Sequence, residues 1–485
     1  MSTAPAPRIR LLLLGGGFLL LGGALRFTAL GEVGLFVDEG GHLLAPVDAD
    51  VRRVIDPVAE GKPAMAWLFA PAHGFPLDPL VVARGLVALL GLGTAAALAV
   101  ALHAVAGARA GLLGLALWAL CPFAVFHERL ALLDPAVGFL TAAGLALLAR
   151  ALRTDRTPSA RLRGAVLGAG LAGTAVAVKV SALALAPALG VVLLALAPRP
   201  GRLHLAALAA YLAPAALLFA ALPGLGQRLP VAAAAPPPLA LWSWTAGYGG
   251  WPLAVLGAAA LAGLAHPGSG RRTAAGFALA ALLAFGVAQA LYPVPYARYL
   301  HGEHVLLVGA LALGLDRWRS RFALAPALIA AVGWLWTDLA LVRDPARAPV
   351  PRAERVQYVS GPWSGDGVAA ALVRVRAETA RGPAVVFVRR YSRPASYAAV
   401  LAARRDPALH VVPLSLDTPT GLAGARAVAA RARALLGPAV RFLVLADGEP
   451  RPESAFLAAA EVGARVLWTH AKPDGGAIDL LEIVP

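Results

Sequence analysis

Eleven apolar runs, most of them near the length a helix needs to cross a bilayer, constrain this chain more than any other feature. The first, Leu11–Leu30, holds a single charge, Arg26. About 20 apolar residues span a hydrocarbon layer about 30 Å thick. Further runs lie at Leu80–Val105, Gly111–Phe126, Pro135–Leu152, Ala165–Val178, Val180–Ala197, Leu205–Leu222, Pro252–Ala265, Ala274–Leu291, His304–Leu315 and Phe322–Leu341. In lipid the backbone must satisfy its own hydrogen bonds, so runs of this length read as helices. With 59% hydrophobic and 14% charged residues and a mean hydropathy of +0.71, the chain reads as a polytopic α-helical membrane protein with about eleven spans.

The formal net charge of +16 has two readings, a nucleic-acid surface or a membrane topology. The arginines sit between apolar runs and not in one basic stripe interleaved with aromatics, which excludes nucleic acid as a partner. With the N-terminus inside, one set of alternate loops carries Arg109, then Arg153, Arg156, Arg161 and Arg163, then Arg199 and Arg202, then Arg271 and Arg272, then Arg317, Arg319 and Arg321. That is the positive-inside pattern, and an odd number of spans places the C-terminal part on the opposite side. The one cysteine, Cys121, excludes an intrachain disulfide. The basic start and first apolar run read as an uncleaved anchor, since no small-residue cleavage site follows.

From about Arg343 the charge density rises, dividing the chain into a membrane part, 1–342, and an extracytoplasmic domain, 343–485. There short apolar runs at Ala384–Val388, His410–Pro413, Arg441–Leu445 and Arg465–Trp468 alternate with helical patterns near Gly367–Ala380, Ala395–Ala403, Gly424–Leu436 and Glu453–Glu461. The alternation predicts an α/β domain with a mostly parallel sheet. No glycine-rich phosphate loop follows any strand, so the domain reads as a covering or recognition module. Residues 39–79 form the first extracytoplasmic loop, where Asp50–Asp56 and Pro63–Ala72 predict interfacial helices with Trp67 and Phe69 at headgroup level. A second such loop, Pro223–Gly250, carries a proline run and Leu-Trp-Ser-Trp, which fits interface anchors or a ligand groove.

Of 43 basic residues only Lys62, Lys179 and Lys472 are lysines. An ammonium is a compact point charge and a guanidinium a planar fork, so in so arginine-rich a chain each lysine marks a candidate position where the two are not interchangeable. Topology collects Asp38, Glu39, His42, Lys62, Arg84, Arg129, Asp134, Lys179, Arg298, Tyr299 and His301 on the extracytoplasmic face. Cations kept there against the positive-inside trend fit an anionic headgroup. Arg84 and Arg129 also fit snorkelling from helix ends.

The order Val-Asp-Glu (37–39), Gly-Lys-Pro-Ala-Met-Ala-Trp-Leu (61–68), His-Glu-Arg-Leu-Ala-Leu-Leu-Asp-Pro (127–135), Val-Lys-Val-Ser-Ala-Leu (178–183) and Ala-Arg-Tyr-Leu (297–300) resembles the polyprenyl-phosphate-dependent glycosyltransferases of the GT-C fold. It is similar both to protein O-mannosyltransferases and to bacterial lipid A aminoarabinose transferases. The resemblance covers residues 1 to about 342. Gln357-Tyr358 and Gly361–Gly367 are similar to the entry into the soluble domain of some bacterial members. It departs at Ala64, where the family often has a second proline after the lysine.

The resemblance implies transfer of a sugar from a polyprenyl-phosphate donor to an acceptor hydroxyl on a protein, lipid or glycan, with inversion, at the outer face of a bacterial inner membrane. Asp38 is then the candidate base, with Glu39 positioning the acceptor or tuning Asp38. Lys62, Arg298 and Tyr299 bind the donor phosphate, and the carboxylate pair is expected to face Lys62 and Arg298. His42, Arg84, Arg129, Asp134 and Lys179 build the donor or acceptor pocket. No cofactor is required. His42, His73, His127, His301 and His304 with Glu39 or Glu303 offer ligands to a divalent metal, but no H-x-x-x-H spacing supports one. The competing function is a transporter or flippase of lipid-linked or anionic substrates. Against it stand the absence of a visible internal repeat and charges gathered at one face, not at mid-membrane.

Overall fold

A computed structural model describes residues 7–484 except 154–155, 198, 200, 228–239, 267–269, 292–295, 319–324, 415–418 and 449–462. Each of the eleven apolar runs is mostly helical over its described residues, and Gly111–Phe126 is broken at Leu120 and Cys121 into two helices. Among the described residues seven helices are long and apolar enough to cross a membrane, with shorter apolar helices at Leu11–Phe27, Ala108–Ala119 and Val180–Leu196. The chain is a multi-pass membrane protein. It divides into two compact units, one of residues 1–30, 56–68 and 81–350, the other of residues 31–55, 69–80 and 351–485.

The first unit is a helical bundle. Its helices are α1 (Pro7–Phe27), the greater part of α4 (Met65–Phe69), α5 (Pro79–Ala106), α6 (Ala108–Ala119), α7 (Pro122–His127), α8 (Asp134–Ala151), α9 (Pro158–Gly173), α10 (Ala175–Val178), α11 (Ala186–Leu196), α12 (Arg202–Ala221), α13 (Ala240–Ala265), α14 (Arg271–Leu291), α15 (His301–Asp316) and α16 (Ala325–Arg343). Between α10 and α11 runs a 3-10 turn, Val180–Leu185. Hydrocarbon provides little drive for apolar surfaces to associate, so small residues that let backbones touch carry the packing. A methyl group on Gly144 of α8 would overlap the carbonyl of Gly168 on α9, and one on Gly173 would overlap the backbone of Tyr211 on α12. At the α1 end Leu25, Leu120 and Val125 form a buried cluster with Phe18, Leu21 and Leu335 packed on it.

The second unit joins the C-terminal segment to most of the first loop, α2 (Val37–Leu44) and α3 (Ala49–Val54) included. After α17 (Arg352–Arg355) come α18 (Val368–Thr379), β1 (Ala384–Arg389), α19 (Pro394–Ala403), β2 (His410–Leu414), α20 (Pro419–Leu436), β3 (Arg441–Asp447), β4 (Gly463–Ala471) and β5 (Ala477–Val484). The sheet order is β2-β1-β3-β5-β4. β1 runs parallel to β2 and β3, whereas β5 is antiparallel to both β3 and β4. The expectation of a mostly parallel sheet is therefore corrected to a mixed one. The cause is local: Gly475 and Gly476, at φ +102° and +85°, turn β4 back on β5, a geometry open to glycine at little steric cost. The expected helix at Glu453–Glu461 and the proline run of the Pro223–Gly250 loop lie outside the described residues.

Two side chains sit differently from expectation. Trp67 is 83% exposed, as an interfacial anchor should be, but Phe69 is fully buried and stacks on His42, ring centroids 5.4 Å apart. Lys472, which the sequence places in a polar tail, is buried; it pairs with Asp447 at 2.9 Å and donates to the carbonyls of Ser364 and Pro362.

Across the sheet, Arg441 donates from Nε to Glu482 (2.5 Å) and from Nη2 to Glu378 (3.0 Å). The hydrogen bond from Arg441, aided by Arg465, holds the Glu482 carboxyl below its ordinary 4.5. A carboxyl lowered on folding contributes stability in full above its unfolded value, and that contribution is lost as pH falls through the folded value. Glu482→Gln should therefore lower the unfolding temperature of the protein in detergent at neutral pH. The difference from the parent should shrink as pH drops below about 4.5, read by intrinsic fluorescence melts across pH.

Candidate active site

The bundle concentrates charge where its helices break. A run that could have continued from α9 into α11 is interrupted at Lys179, whose backbone is extended (φ −155°, ψ 123°). A break inside a bundle frees backbone groups that need partners. The loop ahead of α4 supplies them: Ala64 N–H donates to Ala177 O (3.1 Å), and Val180 N–H donates to Gly61 O (2.9 Å). Gly61 has φ +68°, so this strap needs its glycine. The strap binds the segment carrying Lys62 to the segment carrying Lys179.

Around the break the side chains form a compact cluster. Lys179 Nζ lies 2.6 Å from Asp134 Oδ1, both side chains less than a tenth exposed. It also lies 3.6 Å from the centroid of the Tyr299 ring. Asp134 opens α8, with Pro135 behind it at the first helical turn. Arg298, buried in a 3-10 turn (Ala297–Leu300) ahead of α15, has its guanidinium carbon 4.6 Å from the Tyr296 ring centroid and 5.4 Å from that of Tyr299. Lys62 pairs with Glu60 at 3.0 Å. Three cations against two carboxylates leave this cluster net positive, and aromatic faces hold the cations without neutralising them. Such an arrangement suits a phosphate better than a neutral ligand.

Asp38, Glu39 and His42 belong to the other unit, all on α2. Asp38 is the second residue of the helix and half-buried. Glu39 is fully buried, and its Oε2 accepts the N–H of Phe36, the residue that begins the helix, at 2.9 Å. That carboxylate satisfies one of the orphan donors of a helix start. His42 stacks on Phe69.

Arg84 and Arg129 are both buried. Arg129 donates to Leu25 O (2.9 Å) in the last turn of α1, and Arg84 to Leu30 O (2.6 Å), three residues past its end. Leu25 O is one of the carbonyls that a helix C-terminus leaves without an internal partner. Glu128, next to Arg129, is held by Arg26 Nε at 2.5 Å and by Trp118 Nε1 at 3.1 Å, all inside the bundle. Much of the His127–Pro135 motif thus fastens α1 to the segment that ends in Asp134.

Sequence reasoning missed the partners around these residues. Tyr296 brackets Arg298 together with Tyr299, and the two rings lie 5.4 Å apart; the Tyr-x-Arg-Tyr spacing was the available signal. His127 meets the Tyr248 hydroxyl at 3.2 Å, and Phe123 stacks on His304 at 3.7 Å between centroids. No sequence signal pairs these, because their helices are far apart in the chain. Among the described residues, no group of three or more His, Cys, Asp or Glu could hold a metal ion.

Residues 55–227 match the family model described as dolichyl-phosphate-mannose-protein mannosyltransferase. That segment holds the strap, Lys62, Asp134 and Lys179. The fold is similar to that of ArnT from Cupriavidus metallidurans, solved bound to undecaprenyl phosphate (16% identity, 98% of each chain covered, TM-score 0.60). The apo ArnT structure aligns at a TM-score of 0.62, with the same identity and coverage. No curated protein is similar in sequence. The fold is ArnT-like, of the GT-C type, and with the mannosyltransferase segment it supports a glycosyltransferase and not a transporter.

Removing one partner of a buried ion pair strands the other charge. Lys179→Met should cost about 3–5 kcal/mol of stability. The double variant Lys179→Met with Asp134→Leu should recover most of that loss, since the stranded charge is gone. Thermal unfolding of the purified variants in detergent checks both.

Proposed function

We propose that this protein moves a sugar from a polyprenyl-phosphate donor to an acceptor hydroxyl with inversion, at the extracytoplasmic face of a bacterial inner membrane. The observation that carries the reading is the net-positive cluster of Lys62, Lys179 and Arg298 around Asp134, built at a helix break within the mannosyltransferase-family segment and the turn before α15. The ArnT relative was solved with undecaprenyl phosphate, which supports a lipid-phosphate ligand here. The arginine pattern of the loops supports the orientation, with the α/β unit outside.

In the reaction, the bond between the anomeric carbon and the phosphate oxygen breaks, and the acceptor oxygen bonds to that carbon from the opposite side. The acceptor proton passes to Asp38, and the lipid phosphate departs with its negative charge. Arg298 and Lys62 stabilise that charge; preorganised cations in a site with little water are worth far more than in bulk solvent. Lys179, paired to Asp134, keeps the cationic cluster in place, and Tyr299 lines it. Glu39 acts by fixing the start of α2, so that Asp38 stands at a defined place in the first turn. No cofactor or metal enters this scheme.

Asp38→Asn should abolish sugar transfer while protein level in membranes stays normal; the check is mass spectrometry of native membranes fed a set of polyprenyl-phosphate sugars. Undiminished transfer would remove Asp38 as the base. Arg298→Ala should raise the donor concentration needed for half-maximal transfer by about tenfold or more, the loss of one charged hydrogen-bonding partner. An unchanged donor requirement would count against its phosphate role.

A further inference from the structure

The helix that carries the proposed base is assembled by the α/β unit. Its approach runs through Gly34, where a side chain would overlap the backbone of Gly365. Phe36 packs on Tyr358 with ring centroids 4.5 Å apart, and Val37 N–H donates to Trp363 O at 3.3 Å. On α2 itself, a Cβ at Gly40 would run into the ring of Tyr397 on α19. Helical residues advance about 100° each, so Gly40 lies about 200° around from Asp38. Tyr397 therefore backs the face of α2 opposite the carboxylate.

Tyr397 is in turn fixed. Its hydroxyl donates to Tyr391 O at 2.7 Å, and Tyr391 holds a left-handed backbone, φ +42°, which costs free energy in a residue with a bulky side chain. The Tyr391 hydroxyl donates to Asp48 Oδ2 at 3.4 Å. Through its Oδ1, Asp48 accepts the N–H groups of Asp50 and Val51 and so caps α3, the helix following α2. A chain of contacts thus runs from the strained turn after β1, through Tyr397, to the underside of α2, and closes back on the same loop at Asp48. Strain held by this many partners is a mark of a site whose geometry matters.

We infer that Tyr397 is a positioning residue: by filling the space beneath Gly40 and anchoring its hydroxyl on Tyr391, it sets where Asp38 stands, so the α/β unit governs the base. The inference rests on the proposed role of Asp38. A positioning error of about 1 Å in a catalytic group can cost about a hundredfold in rate, so Tyr397→Ala should lower transfer by about that factor while binding of undecaprenyl phosphate, used as the probe, stays unchanged. Tyr397→Phe keeps the ring over Gly40 and should retain more of the activity than Tyr397→Ala.

A second readout needs no substrate. Cys121 is the one cysteine of the chain and is buried, so Cys121→Ser with Asp38→Cys leaves one thiol, at the position of the base. Its labelling rate by a charged thiol reagent reports how firmly α2 is held. Adding Tyr397→Phe, which removes one hydrogen bond, should raise that rate about threefold to tenfold, and Tyr397→Ala should raise it further. Labelling rates equal to the parent's in both would overturn the positioning role. That outcome is separate from failure of the base assignment, which is read from Asp38→Asn alone. Tyr397→Phe loses only a hydroxyl, so the test stands even if Tyr397→Ala does not fold.

Discussion

The buried pair of Lys179 and Asp134 is the interaction around which the bundle's charged cluster is built. An ammonium in a membrane bundle is costly unless it is paired, and Asp134 meets it at 2.6 Å. The pair forms at the break, where Lys179 has an extended backbone and its side chain meets Asp134, the first residue of α8. The break then frees an N–H and a carbonyl, and the Gly61–Ala64 strap satisfies both. One electrostatic requirement thus recruits a loop, and the loop brings Lys62.

The α/β unit answers a different constraint. A short helix such as α2, eight residues long, does not hold itself in water, because nucleating a helix costs more than its few internal bonds return. It persists through tertiary contacts: Glu39 on its first N–H, Phe36 on Tyr358, Gly40 under Tyr397. The domain after residue 350 is thus part of the support of the first loop, and the loop's acidic pair divides its work. One carboxylate is buried in fixing the helix, while its neighbour is half-buried in the first turn.

Much of this was legible from residues. Hydrophobic run length located the helices, since in lipid a long apolar stretch has few alternatives, and strands β1 to β3 followed from short β-branched runs between helical patterns. The rarity of lysine pointed to Lys62 and Lys179, whose segments the structure straps together. For Lys472 the polar neighbours pointed to the surface, whereas a salt bridge to Asp447 buries it. β5 went unread because its pairing is decided by the Gly475-Gly476 turn, and the parallel expectation was overturned by the same two residues. Arg84 and Arg129 donate to Leu30 O and Leu25 O, backbone atoms that no side-chain pattern reveals.

By itself the sequence determined which segments are apolar enough to lie in a membrane and a short set of motif residues, because hydrophobicity and charge act through composition and order along the chain. The tertiary structure alone decided which of those residues meet. Asp134 and Lys179 are 45 positions apart, Arg26 and Glu128 are 102 apart, and Tyr397 comes under Gly40 from the far end of the chain. Such pairings depend on where helices break and which small residues let backbones approach. These are properties of packing in three dimensions, and spacing along the sequence does not encode them.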